Sequence, residues 1–231
     1  MRWRSGFALA LTVGLMAPAV VHGQDSRPGI AVWAFENGGS YGQDAEDFEA
    51  LRVGLQQILI TELARNASMR VVERTHLNDL IREQDLGADG RVAAGTAARV
   101  GQLVGARYMV LGGFVDFYGD FRIDVRIVNV ETGELVQTHT VADKRDDLYQ
   151  LIVDLAQQLT QHVNLPALSN EEELEEQARE IPVEALTFYS RAIFFEDRGD
   201  TARAVDFYSR AVEEFPDYTE ATARLQQLQA P

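Results

Sequence analysis

The chain contains no cysteine. This absence excludes disulfide bridges, thiolate metal ligands and a cysteine nucleophile, and it leaves no cysteine that could carry a lipid near the amino terminus. Lysine is almost missing too, because Lys144 is the single lysine of the sequence. Beyond residue 23 no apolar run is long enough to cross a membrane as a helix, so no membrane-spanning helix is predicted there.

Positive charge is scarce. The sequence has 21 lysines and arginines against 36 acidic residues, which gives a formal net charge of −15. Nucleic acids and anionic lipid surfaces attract basic patches and repel acidic ones, so we predict no nucleic-acid partner. With 46% hydrophobic and 25% charged residues, the composition is that of a folded globular protein.

Residues 1–23 have the three parts of a secretory signal peptide. Two arginines form the basic start, residues 7–21 form the apolar centre, and residues 21–23 form a small-residue cleavage site, with a cut after Ala19 as the alternative. The apolar run is shorter than the ~20 residues that span a bilayer as a helix. We therefore predict export, cleavage and a location in the periplasm, with peripheral contact to the outer membrane as an open alternative.

Residues 28–165 have the strand and helix patterns of an α/β domain in which helices cover a mixed sheet. The short apolar run at 30–35 is bounded by glycines and suits a buried strand. Apolar residues in the segment 45–64 recur at spacings of three and four, which is typical of an amphipathic helix packed on a sheet. By the same patterns, further strands are predicted at 69–72, 108–118, 121–130 and 135–141, and further helices at 75–86, 93–104 and 146–163.

The segment 166–180 is predicted to be an acidic linker, and residues 181–231 a separate all-α unit. Alanines at positions 192, 204 and 211 allow two antiparallel helices to approach closely, and aromatic residues fill the space between them. This spacing resembles a tetratricopeptide repeat over about 185–218, followed by a capping helix. Because repeat arrays ordinarily need three or more units, we expect the single hairpin to pack on the first domain, on a partner or on a second copy.

The repeat register predicts a partner-binding site on the first helix of this hairpin. It places Leu186, Tyr189, Ile193 and Glu196 along the concave face that such repeats use to bind peptides. The alternative is that Leu186 and Ile193 are packed in the interior, which is the ordinary role of apolar residues at helical spacing.

The segment from about residue 28 to 165 resembles the family of the curli production and transport component CsgG. In chain order, the resemblance is carried by Ile30-Ala31-Val32 with Phe35-Glu36-Asn37, Val71-Val72-Glu73-Arg74, Glu83-Gln84 with Gly87 and Gly90, Gly101 with Gly105-Ala106-Arg107-Tyr108 and Val110-Leu111-Gly112, and residues 124–130 with Glu131-Thr132-Gly133-Glu134. It implies a CsgG-like α/β fold, a non-catalytic role and assembly into envelope oligomers. The namesake of the family is an outer-membrane pore that exports unfolded curli subunits.

One hairpin of this domain differs from those of the namesake, where long hairpins span the membrane. Here the chain is predicted to turn tightly at Gly119-Asp120. Arg122, Asp124 and Arg126 then share one face of the second strand, because alternate residues of a strand point the same way. The pattern predicts a sheet surface that faces water.

The loop 38–47 lies where the namesake has the constriction of its pore. The spacing of Tyr41 and Phe48 does not reproduce that motif. We therefore expect Tyr41 to be a surface loop residue and Phe48 to be a core residue.

Sequence motifs for phosphate binding, serine and zinc-dependent hydrolysis and dinucleotide binding are absent. We therefore predict no enzyme activity, no cofactor, no metal and no small-molecule substrate. The leading hypothesis is a periplasmic assembly or adaptor protein that binds envelope protein partners, a second copy among them, through the α/β domain and the hairpin. The alternatives are an outer-membrane secretion pore of the namesake's type and an activator of a cell-wall synthase.

Overall fold

The computed structural model describes residues 27–42, 44–83, 92–162 and 181–230. Its sheet consists of the strands Gly29–Val32 (β1), Glu36–Asn37 (β2), Arg70–Val71 (β3), Tyr108–Phe117 (β4), Asp120–Asn129 (β5) and Leu135–Lys144 (β6). The order across the sheet is β3-β1-β4-β5-β6, and β2 also pairs with β4. β1 is parallel to β3 and β4, whereas β4, β5 and β6 are antiparallel neighbours, so the sheet is mixed as predicted.

Among the described residues, four helices belong to the α/β domain and three to the carboxy-terminal unit. They are Ala45–Ala64 (α1), Arg74–Glu83 (α2), Ala94–Leu103 (α3), Leu148–His162 (α4), Val183–Glu196 (α5), Thr201–Glu214 (α6) and Thr219–Gln229 (α7). A short 3-10 turn, Arg145–Asp147, precedes α4. The observed fold is therefore the predicted one, a mixed α/β domain followed by a helical hairpin and a third helix.

Helices pack on both faces of the sheet. Successive residues of its central strands point to opposite sides, so each strand contributes to two cores. Ile30 and Val110 belong to the core shared with α1 and α4. Their neighbours Ala31 and Met109 belong to a second core, shared with α2 and α3. The larger core continues through α1 into α5, α6 and α7, so one hydrophobic core joins the α/β domain and the helical unit. The hairpin was expected to pack on the first domain, on a partner or on a second copy, and in the structure it packs on the first domain.

The predicted strand at 30–35 is divided in the structure. β1 ends at Val32, and β2 begins at Glu36. Between them the buried Phe35 packs its ring directly over Gly112, where an added Cβ would overlap the ring. Sequence periodicity does not reveal this break, because Phe35 is as apolar as the strand residues before it.

The turn between β4 and β5 lies one residue earlier than predicted. Its central residues are Tyr118 and Gly119, with φ values of 54° and 96°, and Phe117 pairs directly with Asp120. Positive φ at both central residues is typical of a type I′ hairpin turn, which Asn-Gly and Asp-Gly usually form. The prediction of Gly119-Asp120 was wrong because tyrosine is an unusual first residue for this turn.

Two expectations for the loop after β1 are confirmed. Tyr41 is exposed and Phe48 is buried in the core. The predicted signal peptide (1–23) and acidic linker (166–180) lie outside the described residues. None of the helices described above has the length and apolarity needed to cross a membrane.

Candidate protein-interaction surfaces

The four residues predicted to bind a partner lie on α5, where it contacts the α/β domain. Three of them are buried, with exposed fractions of 0% for Leu186, 6% for Tyr189 and 2% for Ile193. Ser190, between them on the same helix face, packs against Gly54 of α1. These three residues therefore face the interior of this chain, in agreement with the alternative stated for Leu186 and Ile193, whereas Glu196 is only partly buried.

Small residues bring α1 and α5 close together. A Cβ added at Gly54 would overlap the Cβ and Oγ atoms of Ser190. The Ser190 hydroxyl donates a hydrogen bond of 2.8 Å to the carbonyl oxygen of Leu186, so it is satisfied within its own helix although it is buried. The contact therefore needs glycine on α1 and tolerates serine on α5.

Ion pairs hold α5 and the residue after it to the α/β domain. Arg191 pairs with Glu46 and Asp47 at the start of α1. Arg74, at the start of α2, is buried and pairs with Asp197. Removing one partner of a buried pair leaves an uncompensated charge, which is strongly destabilising. The hairpin is thus held by charge as well as by apolar packing.

Glu196 connects the three helices of the carboxy-terminal unit. Its carboxylate accepts hydrogen bonds from the Tyr208 hydroxyl of α6 at 2.8 Å and from Arg224 Nε of α7 at 2.9 Å. Burial alone would raise the pKa of Glu196, but the hydrogen bonds from Arg224 and Tyr208 outweigh it and hold the pKa below the ordinary value of 4.5. Glu196 is therefore an anion at neutral pH at the edge of the hairpin contact.

A second glutamate lies deeper in the same contact. The Tyr149 hydroxyl donates to Glu62 at 2.6 Å, and Arg65 approaches the other carboxylate oxygen at 3.0 Å. Burial is the main reason that the pKa of Glu62 lies above its ordinary value of 4.5. Burial also raises the pKa of Tyr149 and Tyr218, so both hydroxyls stay protonated at neutral pH. The two glutamates at this contact thus have opposite pKa shifts.

A cleft of about 930 Å³ lies between α2 and the turn that joins α5 to α6. Apolar side chains, Trp33 and Ile81 among them, and charged side chains, Arg82 and Glu196 among them, line it. Protein-binding sites commonly combine apolar side chains with polar and charged ones. The cleft forms because docking on α1 places the hairpin opposite α2.

The exposed side of β5 and β6 forms a second, more polar surface. Arg122 donates hydrogen bonds of 2.9 and 2.7 Å to Asp124, and Thr140 donates to the same carboxylate at 2.6 Å. A pocket of about 520 Å³ on this face is lined by Asp124, Arg126 and Thr138. The predicted water-facing surface is thus observed, with most of its charge paired.

Three exposed aromatic side chains meet at the tip of the β4–β5 hairpin. The exposed fractions are 57% for Tyr41, 59% for Phe117 and 73% for Tyr118. The ring centroids of Tyr41 and Phe117 are 6.1 Å apart, and those of Phe117 and Tyr118 are 5.1 Å apart. Sequence reasoning did not single out Phe117 and Tyr118, although a tyrosine before a turn glycine was an available signal. We call these three residues the aromatic tip.

In the part of the chain that the structure describes, no group of three or more His, Cys, Asp or Glu side chains could hold a metal ion. The polar side chains described above instead pair with one another across element boundaries.

The family model of the curli production assembly/transport component CsgG matches residues 22–122. The matched segment contains β1 to β4 and α1 to α3. The similarity to that family thus lies in this segment of the chain. No curated protein matches the chain.

Several solved structures are similar to the chain at low sequence identity. The LpoB C-terminal domain from Escherichia coli is 21% identical over 53% of this chain and 86% of that chain, with a TM-score of 0.36. TolB from Acinetobacter baumannii is 17% identical over 61% of this chain and 29% of that chain, with a TM-score of 0.42. The PelC dodecamer from Paraburkholderia phytofirmans is 14% identical over 61% of this chain and 91% of that chain, with a TM-score of 0.35. No activity of this chain follows from similarity at this level.

Proposed function

We propose that the chain is an exported, non-enzymatic adaptor of the cell envelope, which binds protein partners through the α/β domain and the docked hairpin. The observation that carries this proposal is the cleft between α2 and the hairpin, with its mixed apolar and charged lining. The similarity to the CsgG family at 22–122 and the signal-peptide pattern at 1–23 support an envelope role.

In this proposal an apolar side chain of the partner enters the cleft and contacts Trp33 and Ile81. Charged groups in the cleft, Glu196 among them, orient the partner by hydrogen bonds and charge. Leu186, Tyr189 and Ile193 contribute indirectly, because they hold α5 on α1 and thereby shape the cleft. The predicted partner-binding residues thus keep a role, with Glu196 as the one that a partner can reach.

Two adjacent residues of α2 provide a matched test of the cleft. Thr75 and His76 are both exposed, but only Thr75 lines the cleft. We expect Thr75→Arg to remove the proteins that co-purify with the full chain from the envelope of its host, and His76→Arg to retain them. Identical sets of co-purifying proteins for the two variants would contradict binding in the cleft.

Light scattering on the mature protein, from Gln24 onward and without detergent, separates the adaptor from the secretion pore. A monomer or dimer supports the adaptor. A large ring, or a protein that needs detergent to remain in solution, would favour the pore instead. Stimulation of cell-wall synthesis in a reconstituted assay would favour the third hypothesis, the activator of a cell-wall synthase.

A further inference from the structure

Backbone hydrogen bonds anchor the aromatic tip to the end of β4. The Tyr41 N–H donates to the Asp116 carbonyl at 2.7 Å and the Tyr118 N–H donates to the Tyr41 carbonyl at 3.1 Å, so the loop forms a short bridge beside β4. Beneath it the fully buried Asp116 pairs with Arg145 and accepts a hydrogen bond of 2.8 Å from the Gly119 N–H. A surface that is already ordered loses little conformational entropy when a partner binds.

Tyr118 occupies a backbone position that does not favour tyrosine. Among the described residues it is the only non-glycine residue with positive φ. Asparagine, aspartate and glycine tolerate this conformation, whereas a bulky side chain there is strained. Its ring is mostly exposed, so burial does not offset the strain. The stability of the fold therefore does not explain a tyrosine at this position. A role in binding a partner does explain it.

Three exposed aromatic rings, in which Phe117 contacts both Tyr41 and Tyr118, also differ from the isolated apolar residues that are normal on protein surfaces. Aromatic side chains are enriched in protein interfaces, where they supply much of the binding free energy. The aromatic tip thus has the composition of an interface centre.

The surroundings of the tip are acidic. The backbones of Gly42 and Arg145 contact the turn. Four exposed aspartates lie within two residues of one or the other in the sequence, and none of them has an ion pair to a described residue: Asp44, Asp143, Asp146 and Asp147. Two described cations near the turn are already paired, Lys144 with Asp120 and Arg145 with Asp116. The tip therefore presents aromatic faces inside a negatively charged rim.

This combination fits a cationic partner. Arginine and lysine side chains are attracted to the faces of tyrosine and phenylalanine rings, and an acidic rim adds longer-range attraction. The same rim repels anionic lipid surfaces, and a second copy of the chain would bring like charges together. We propose that the aromatic tip is a docking surface for a basic segment of a partner protein. This proposal rests on the adaptor function but uses none of the residues of the cleft.

Selection from a random-sequence peptide library, displayed on phage and presented to the mature protein, tests the proposed chemistry. We expect the selected peptides to be enriched in arginine and lysine. Their affinity for Tyr118→Asn is expected to be at least about tenfold weaker than for the wild type. Combining Asp143→Asn with Asp146→Asn should weaken binding and reduce its dependence on salt.

Two control variants show whether peptide binding is specific to the aromatic tip. Leu103→Asn removes an exposed apolar side chain from α3 and should leave peptide binding unchanged. Thr75→Arg, which blocks the cleft, should also leave it unchanged, so failure of the cleft and failure of the tip can be told apart. Thermal unfolding of Tyr118→Asn verifies that the fold is retained.

Several results would overturn the proposal. One is a selection that yields acidic peptides, uncharged apolar peptides or no peptide whose binding depends on Tyr118. Another is a concentration-dependent dimer of the wild type that Tyr118→Asn abolishes, because the tip would then bind a second copy. Binding to neutral lipid vesicles that is lost in the same variant would equally assign the tip to a membrane surface.

Discussion

Aromatic residues have opposite surroundings at two places in this molecule. Where the hairpin meets the α/β domain, Tyr189, Tyr208 and Tyr218 are buried, whereas Tyr41 and Tyr118 at the aromatic tip are largely exposed. Rings contact rings at both places: the centroids of Tyr189 and Tyr218 are 4.8 Å apart, and those of Phe117 and Tyr118 5.1 Å apart. Ring contact alone therefore does not distinguish a structural cluster from a binding surface.

Burial makes the distinction, and hydrogen bonds add to it at two of the buried tyrosines. At the hairpin contact the Tyr208 hydroxyl donates to Glu196 and the Tyr149 hydroxyl donates to Glu62. At the tip, neither Tyr41 nor Tyr118 makes a side-chain hydrogen bond to a described residue, and water reaches both rings. We infer that the first set of rings stabilises the docked hairpin and that the second set adds little to stability.

The largest expected effect tests the buried set. Tyr208→Ala should lower the free energy of unfolding by about 3–5 kcal/mol, because it leaves a cavity between α5 and α6. Tyr208→Phe, which removes only the hydrogen bond to Glu196, should cost about 1 kcal/mol. Urea unfolding of both variants measures the difference. A loss below about 1 kcal/mol for Tyr208→Ala would mean that the hairpin is not part of the cooperative fold.

A smaller effect is expected where the two helices meet. Gly54→Ala places a methyl group against Ser190 and should cost about 1–3 kcal/mol through overpacking. Gly95→Ala is the control, because an added Cβ on this α3 residue meets no atom within 4 Å, and it should stabilise by about 0.5–1 kcal/mol. Adding Ser190→Gly to Gly54→Ala should recover part of the loss. If Gly54→Ala behaved like Gly95→Ala, close packing would not hold the hairpin.

The two glutamates of the hairpin contact are expected to give opposite pH dependences. The folded-state pKa of Glu196 is lowered, so its charge stabilises the fold above the unfolded value of 4.5, and this stability is lost as the pH falls through the folded pKa. Glu196→Gln should therefore destabilise the protein at neutral pH, on the order of 1 kcal/mol, and less in acid.

Glu62 provides the matched comparison at the same contact. Its folded-state pKa is raised, so stability is highest below 4.5 and falls as the pH rises through the folded pKa. Glu62→Gln should stabilise the protein at neutral pH, and the gain should vanish in acid. Urea unfolding across pH measures both variants, and the same sign for both at neutral pH would contradict the assigned shifts.

The sequence predicts the elements of this fold better than the contacts between them. Helix α1 occupies the predicted 45–64, because apolar spacing records which face of a helix is buried. The same spacing marked Leu186 and Ile193 as one face of α5, but it does not reveal what covers that face. In the structure α1 packs against this face, where Gly54 contacts Ser190. These two residues are distant in sequence.

The sequence does not predict the aromatic tip, for a related reason. Turn rules favour asparagine or aspartate at the position of Tyr118, so they predict the turn one residue late and a strand at Tyr118. Tyr41 joins the cluster only because its loop runs beside the end of β4. A residue that breaks a local rule without a gain in stability is expected at a functional site.

The smallest expected change in stability decides whether Tyr118 is such a residue. Tyr118→Asn should leave the free energy of unfolding unchanged or raise it by up to about 1 kcal/mol, because asparagine relieves the strain at positive φ and little buried surface is lost. Tyr118→Ala keeps the strain and removes the ring, so the difference between the two variants, measured by urea unfolding, isolates the turn. If Tyr118→Asn instead cost more than about 1 kcal/mol, the exposed ring would be contributing to stability, and the contrast between the buried and the exposed rings would no longer hold.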